Sequence, residues 1–207
     1  AEDSGSWQQP RGKQAGDTRW PIDYDPIIGI WQTVWLEPVQ SRHIVSMATG
    51  YKITEQSLDL TITLSSQVNG SLQISLRQNA AKVSELTIDT GARSEVKASL
   101  AINSPELWSP DCPTLYDLYI QLLSPSGQQL DSIQSYTGLR EISILDGKLC
   151  LNQQPLYIKG LLDQGYFPEG WYTPLDDAAM IHDIELVQTM GFNLVRKHQK
   201  AEDPRFL

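Results

Sequence analysis

The sequence predicts a mainly β protein, an immunoglobulin-like antiparallel β-sandwich followed by an incomplete β/α segment. Residues 27–136 contain short runs in which apolar and polar residues alternate. This period of two places the apolar side chains of each run on one face of a strand. Turn-forming residues separate the runs. After Gly138, a strand, a helix and another strand follow each other within residues 156–195, which indicates a βαβ unit.

Composition and charge exclude several classes of function. The chain has 207 residues, 40% of them hydrophobic, and a net charge of -9. A nucleic-acid surface needs clustered Lys and Arg, whereas no basic run here exceeds the pair Arg196-Lys197. No apolar run approaches the ~20 residues of a membrane span. We therefore expect neither nucleic acid nor a membrane as a partner, and the cellular compartment stays open.

The sequence contains no pattern typical of a cofactor or metal site. Cys112 and Cys150 lack the spacing of metal ligands. We interpret them as structural thiols and leave a disulfide between them open. The prediction is no cofactor and no metal.

The predicted sandwich has seven to eight short strands, a number typical of an immunoglobulin-like domain. Alternation is strict over 58–64, where even positions are apolar. Asn69-Gly70 lies between two alternating runs and predicts a hairpin turn. Residues 1–26 are polar and rich in Gly and Pro, which indicates an extended lead-in.

The C-terminal third predicts strands at 141–145, 148–151, 156–162 and 192–195. Between the last two strands, Thr173 fits the N-cap of a helix and Pro174 fits the first helical position. Asp176, three residues after Thr173, can complete a capping box with it. Gly191 fits the C-terminal stop. A parallel sheet needs both faces covered, so we expect this segment to open a larger domain.

Four stretches in this order resemble glycoside hydrolase family 2 of the β-galactosidase/β-glucuronidase type. They are residues 9–14 with 29–37 (GIWQTVWLE), 107–116 (LWSPDCPTLY), 138–155 (GLREI to LNQQP), and 159–168 (KGLLDQGYFP) with 191–198 (GFNLVRKH). The resemblance implies an internal fragment with three parts. Residues 1–26 lead in from a jelly-roll domain, 27–137 form the sandwich, and 138–207 begin a (β/α)8 barrel. Gln153 stands where the family usually has Gly.

The resemblance also implies an activity for a longer parent protein: a retaining exo-β-glycosidase that hydrolyses O-glycosidic bonds of a carbohydrate substrate. Such enzymes use two carboxyl groups ~5–5.5 Å apart. In the family both are Glu residues on later barrel strands, and the acid/base Glu follows an Asn. No Asn-Glu dipeptide occurs here. We therefore expect no catalytic residue in this chain and no hydrolysis by the chain alone.

Substrate-binding residues of the parent are expected where the first two barrel strands end, because the carboxyl ends of barrel strands carry the active site. Asp163 and Gln164 follow the first strand, and Arg196 and His198 follow the second. The best-known galactosidases of the family have His where Gln164 falls, and this difference leaves the substrate preference open. The alternative role for Asp163 and Gln164 is hydrogen bonding within the loop. Lys200 is a further candidate, as a neighbour of Arg196 and His198.

Four large aromatic residues, Trp31, Trp35, Trp108 and Tyr116, predict core and inter-domain packing, with sugar stacking as the alternative.

Other functions of the chain stay open as well. One is a non-catalytic carbohydrate-binding or scaffold sandwich, and another is an adhesion-type immunoglobulin-like protein, which leaves the βαβ segment unexplained. A lone βαβ segment exposes strand edges, so self-association through it is expected.

Overall fold

The computed structural model describes Tyr24, Ile27 and residues 29–206. The predicted lead-in over residues 1–26 lies outside the described residues except for Tyr24. The chain divides into two compact units. The sandwich unit is residues 37–157, and the βα unit combines residues 1–36 with residues 158–207.

The sandwich unit contains two antiparallel sheets, as the alternating pattern predicts. One has three strands in the order β1-β2-β5, and the other has four in the order β4-β3-β6-β7. The strands are β1 Ile44–Lys52, β2 Ser57–Val68, β3 Ser71–Gln78, β4 Ala81–Asp89, β5 Arg93–Ala101, β6 Tyr116–Leu123 and β7 Gln129–Thr137. This architecture confirms the predicted fold class.

The core between the sheets is built from the even positions of β2, β3, β5 and β6. In β6, Tyr116, Leu118, Ile120 and Leu122 are buried, whereas the residues between them are partly exposed. Strands β2, β3 and β5 repeat this pattern with Leu58 to Leu64, Leu72 to Leu76 and Val96 to Leu100. Burying a side chain of this size contributes about 1.5–3 kcal/mol, so this core dominates the stability of the unit.

The hairpin predicted at Asn69-Gly70 is wrong. Strand β2 pairs with β1 and β5, whereas β3 pairs with β4 and β6, so the chain crosses from one sheet to the other here. The glycine is needed for a close approach rather than for a hairpin: a Cβ on Gly70 would lie 2.1 Å from the carbonyl oxygen of Leu123. Buried Thr90 holds the crossover, because its hydroxyl donates to the carbonyls of Val68 (2.5 Å) and Gly70 (3.1 Å).

A small antiparallel sheet completes the sandwich unit, with β8 Ile142–Leu145, β9 Lys148–Leu151 and β10 Gln154–Pro155 in the order β10-β9-β8. Two-residue turns join its strands. Asp146-Gly147 has φ of 49° and 71°, and Asn152-Gln153 has φ of 51° and 64°. Two left-handed residues in succession match the twist of paired strands. Gln153 therefore occupies a conformation that favours glycine.

The two sequence stretches LWSP and GLREI meet the LNQQP stretch in space around Trp108. The Trp108 ring lies under the Arg140 guanidinium at 4.3 Å, and a Cβ on Gly138 would lie 3.1 Å from the Trp108 side chain. The Asn152 amide donates to the Trp108 carbonyl (3.0 Å) and accepts from the Glu141 N–H (3.1 Å). The Glu141 carboxylate in turn accepts from the Ile53 N–H (3.0 Å). These contacts tie the small sheet to the sandwich.

The βα unit contains the parallel pair β11 Gly160–Asp163 and β12 Leu194–Lys197, joined through helix α1 Asp177–Thr189. The strand predicted at 156–162 is shorter and displaced: residues 156–159 lie in no strand, and β11 begins only at Gly160 and ends at Asp163. Among the described residues, no helix is long and apolar enough to cross a membrane.

The predicted N-cap at Thr173 is also wrong. Asp176 caps the helix, because it is extended and its carboxylate accepts from the Ala179 N–H at 2.9 Å. The Thr173 hydroxyl instead donates to the Trp31 carbonyl at 3.1 Å. An Asp at this position also complements the helix dipole. The predicted stop is confirmed, since Gly191 follows the C-cap Met190 with φ of 80°.

Candidate functional site

The four predicted site residues lie at the carboxyl ends of β11 and β12, and the register of these strands separates them. Leu162 is aligned with Arg196, and Asp163 is aligned with Lys197. Because successive side chains of a strand point to opposite faces, Asp163 and Arg196 lie on opposite faces of this sheet. The ends of the two strands are nevertheless joined, since the His198 N–H donates to the Asp163 carbonyl at 2.7 Å.

Arg196 and His198 form a contact at the end of β12. One Nη of Arg196 lies 3.0 Å from Nδ1 of His198. A guanidinium has only donors, so Nδ1 accepts and the neutral imidazole carries its proton on Nε2. His43 shows the opposite arrangement, because its Nδ1 lies 2.7 Å from the Gln40 carbonyl and must donate. The contact with Arg196 thus favours the tautomer of His198 that carries its proton on Nε2.

Asp163 belongs to a network of four charged side chains on the other face, which we call the ion network. Lys197 Nζ lies 2.5 Å from the Asp163 carboxylate and 2.6 Å from Glu202, and Lys200 Nζ lies 3.0 Å from Glu202. The side chains of Lys200 and Glu202 are 1% and 2% exposed. Two ammonium groups and two carboxylates balance each other, which is what burial of charge requires.

The environment of Glu202 has opposing effects on its pKa. Burial alone would raise it, but hydrogen bonds from Lys197, the Asp203 N–H and Lys200 outweigh burial and hold the pKa of Glu202 below its ordinary value. Glu202 is therefore a carboxylate in the folded protein at neutral pH.

The ammonium group of Lys200 is surrounded by aromatic rings. Its ammonium lies 4.7 Å from the ring centre of Tyr172 and 5.4 Å from that of Phe167, and it donates to the Gly165 carbonyl at 2.7 Å. Gly165 has φ of 67°, and a Cβ there would lie 2.6 Å from Lys200 Cδ. Only glycine leaves room for this lysine.

A cavity of about 380 Å³ lies between β11 and α1. Its walls include Asp163, Gln164, Tyr166 and Asp183, together with apolar side chains of the helix. Burial raises the pKa of Asp183, and the neighbouring Asp163 raises it further. Burial, followed by Tyr172 and Tyr24, raises the pKa of Tyr166 to about 12. Gln164 thus lines this cavity beside Asp163.

The aromatic residues singled out from the sequence have different environments. Tyr116 is buried in the core and accepts from the Glu106 N–H, and Trp108 packs against Arg140 and Gly138. Trp31 packs edge-on against Tyr172 with ring centres 4.8 Å apart. Trp35 is 71% exposed, so it is not part of a core among the described residues, and inter-domain packing or sugar stacking stays a prediction for it.

Cys112 is exposed and Cys150 is buried, and both are free thiols. The disulfide that the sequence left open is therefore not formed. In the described part of the chain, no three His, Cys, Asp or Glu side chains are grouped so that they could hold a metal ion.

Sequence reasoning missed the partnership of Lys200 and Glu202. The sequence predicted Lys200 only as a neighbour of Arg196 and His198, and it gave no indication of a role for Glu202. The segment 198–203 has neither helical nor strand periodicity, so nothing local distinguishes its buried charges from exposed ones. Gly165 was the one usable signal, because a glycine two residues after the end of a strand indicates a positive φ or a close neighbour.

Comparison with known proteins gives three findings. Residues 42–140 match the family model described as Glycosyl hydrolases family 2. A β-galactosidase from Vibrio cholerae is 40% identical over 108 residues, which cover 52% of this chain and 10% of that protein. A β-galactosidase from Leuconostoc mesenteroides is 29% identical over 185 residues, which cover 81% of this chain and 18% of that protein. The chain therefore spans less than a fifth of the length of these relatives.

Solved structures support the fold. The β-glucuronidase of Lactobacillus rhamnosus aligns with a TM-score of 0.68 and 20% identity, over 81% of this chain and 27% of that chain. A Ruminococcus gnavus β-glucuronidase aligns with a TM-score of 0.63 and 19% identity, over 76% of this chain and 26% of that chain. At this identity the likeness concerns the fold alone.

Proposed function

We propose, starting from the match of residues 42–140 to the family model described as Glycosyl hydrolases family 2, that this chain is part of a retaining exo-β-glycosidase of the β-galactosidase type. The parent protein would hydrolyse O-glycosidic bonds of a carbohydrate. The observation that carries the substrate class is the 40% identity to a β-galactosidase along 108 residues. The likeness to β-glucuronidases rests on 20% identity or less, so it does not compete at the level of the substrate.

In this proposal the chain supplies the sandwich and the first two strands of the catalytic barrel. Residues 1–26 lead in, 27–137 form the sandwich and 138–207 begin the barrel. Support for the barrel start comes from the parallel register of β11 and β12 and from the helix between them.

The parent would use two Glu residues that this chain lacks. One protonates the leaving oxygen, and the other attacks the anomeric carbon to form a covalent glycosyl-enzyme. Arg196 and His198 would meet the substrate at the rim. The guanidinium has donors in a fixed fork, which can orient a sugar hydroxyl or a catalytic carboxylate. Gln164 and Asp163 would contribute from the end of β11.

Two measurements test this proposal. The coding DNA beyond the codon for Leu207 is expected to continue into a barrel with an Asn-Glu pair and a second Glu. The purified 207-residue chain and the longer protein are then assayed with aryl β-galactosides and β-glucuronides. We expect turnover of the galactoside by the longer protein only, and a loss of about 100-fold in its kcat/KM for Arg196→Met.

Other outcomes have a clear meaning. Turnover by the chain alone that is lost in Asp163→Asn would contradict its inactivity. A stop codon after Leu207 would favour a non-catalytic carbohydrate-binding or scaffold module instead. Preference for the glucuronide in the longer protein would keep the family and overturn the substrate.

We further propose that the βα unit associates with a second copy when the chain is isolated. Leu162, Leu186 and Met190 are each about half exposed, and β11 and β12 pair only with each other among the described residues. Exposed apolar side chains beside unpaired strand edges favour association. Light scattering should show mass rising with concentration. A monomer at all concentrations, with slow hydrogen exchange across 160–197, would contradict this.

A further inference from the structure

The segment that follows β12 carries two groups of side chains with different surroundings. Arg196 and His198 contact each other at the strand end. Lys197, Lys200 and Glu202 belong to the buried ion network. Because Lys197 stands between Arg196 and His198 in the chain, whatever holds Lys197 also limits the backbone of both neighbours.

The contacts of Lys197 hold it from three directions. Its ammonium lies 2.5 Å from Asp163, 2.6 Å from Glu202 and 4.0 Å from the ring centre of Phe206. The side chain is 10% exposed, so water does little to weaken these ion pairs. Lys197 cannot leave this position without separating buried charges.

Lys200 and Glu202 extend this constraint to the end of β11. Lys200 donates to the Gly165 carbonyl at 2.7 Å, and the Asp163 carboxylate accepts from the Gly165 N–H at 2.6 Å. The backbone N–H of His198 also donates a hydrogen bond to the Asp163 carbonyl at 2.7 Å. Residues 163–165 and 196–198 are therefore bound to each other through charged side chains on one side of the sheet.

We propose that Lys200 and Glu202 are positioning residues, which set Arg196 and His198 at the rim by fixing Lys197 and the end of β11 from the opposite face of the sheet. The purpose of this arrangement rests on the proposed glycosidase function, in which Arg196 and His198 meet the sugar. The arrangement itself is tested on the chain alone, without activity.

The test uses the tautomer of His198 as its readout. The three histidines are labelled with ¹⁵N, and the imidazole nitrogens are observed at about pH 8.5, roughly two units above the ordinary histidine pKa. The chain should show an unprotonated Nδ1 for His198 and a protonated Nδ1 for His43, which serves as an internal reference. Arg196→Met removes the donor and shows how the spectrum changes when the contact is lost.

Glu202→Gln and Lys200→Met are the test variants, and Arg205→Met is the matched control. Arg205 lies in the same segment, but its ion pairs with Asp177 and Asp203 involve a side chain that is 55% exposed. Amide resonances of α1 are recorded in every variant to check that the βα unit stays folded.

Both test variants should lose the signal of an unprotonated Nδ1 in His198. The Nδ1 signal should move to the position seen in Arg196→Met, where the two tautomers are averaged. The α1 amides should keep the dispersion of a folded helix in every variant, the His43 signal should be unchanged, and Arg205→Met should leave the His198 signal unchanged. An unchanged His198 signal in both test variants would overturn the proposal. Loss of the α1 resonances in both would also overturn it, because the network would then hold the fold rather than place two side chains. Neither result depends on whether the parent hydrolyses galactosides.

Discussion

Gln153 offers a direct measure of backbone strain in the sandwich unit. It follows Asn152 in the two-residue turn between β9 and β10, with φ of 64°. A non-glycine residue in the left-handed region costs about 1–2 kcal/mol. Replacing it by glycine removes this cost but adds about 0.4–1 kcal/mol of unfolded-chain entropy. We expect Gln153→Gly to raise the free energy of unfolding by about 0.7 kcal/mol, and Tm by about 3 °C.

The neighbouring turn provides the reverse experiment. Gly147 has φ of 71°, and a Cβ there would meet nothing within 4 Å, so Gly147→Gln adds backbone strain without a clash. It should lower the free energy of unfolding by about 0.7 kcal/mol. Both variants are compared by urea unfolding of the chain, and the pair of opposite changes is the signature. If Gln153→Gly left the midpoint unchanged or lowered it while Gly147→Gln behaved as expected, strain at Gln153 would be refuted.

Three further predictions follow from contacts in the two units. Thr90→Val should lower the free energy of unfolding of the sandwich unit by about 1–2 kcal/mol, because two buried carbonyls lose their hydroxyl donor. The control Thr87→Val, on the exposed side of β4, should have little effect in the same urea titration. Gly165→Ala should destabilise the βα unit far more than Gly191→Ala, since both glycines have positive φ but only Gly165 lies against Lys200; hydrogen exchange of the β12 amides distinguishes them. The folded-state pKa of Glu202 is lowered, so the contribution of this carboxylate to the stability of the βα unit should be complete above the ordinary Glu pKa of 4.5 and be lost as pH falls through the lower folded value. A pH series of the α1 amides should show this step. Glu202→Gln should abolish the step.

Alternation in the sequence was sufficient to predict the sandwich, because burial on one face of each strand follows directly from a period of two. The pairing partners were less predictable. Asn69-Gly70 has the composition of a hairpin turn, yet Gly70 serves a close approach to Leu123, which is 53 positions later and invisible to local pattern. The helix start shows the same limit: Thr173 and Asp176 are both acceptable caps, and the Trp31 carbonyl decides between them by engaging the Thr173 hydroxyl.

The candidate site was predictable in its location but not in its internal contacts. Strand ends of a βαβ unit meet at one edge, which placed Asp163, Gln164, Arg196 and His198 near each other. Their division between two faces depends on the register of Leu162 with Arg196, which no residue type specifies. The burial of Lys200 depends on aromatic rings contributed by residues 31, 167 and 172, so it could be found only from the assembled unit.

The crossover at Gly70 has a consequence for how fast the sandwich forms. Strand β3 can close a hairpin with β4 early, but its other edge pairs with β6 in the register of Ser71 with Leu123, and β2 pairs with β5 across a comparable gap. Loop closure must precede the gain from such distant contacts, so domains dominated by them fold in milliseconds to seconds rather than microseconds. During synthesis, the free edge of β3 therefore stays unpaired until β6, which ends at Leu123, has left the ribosome.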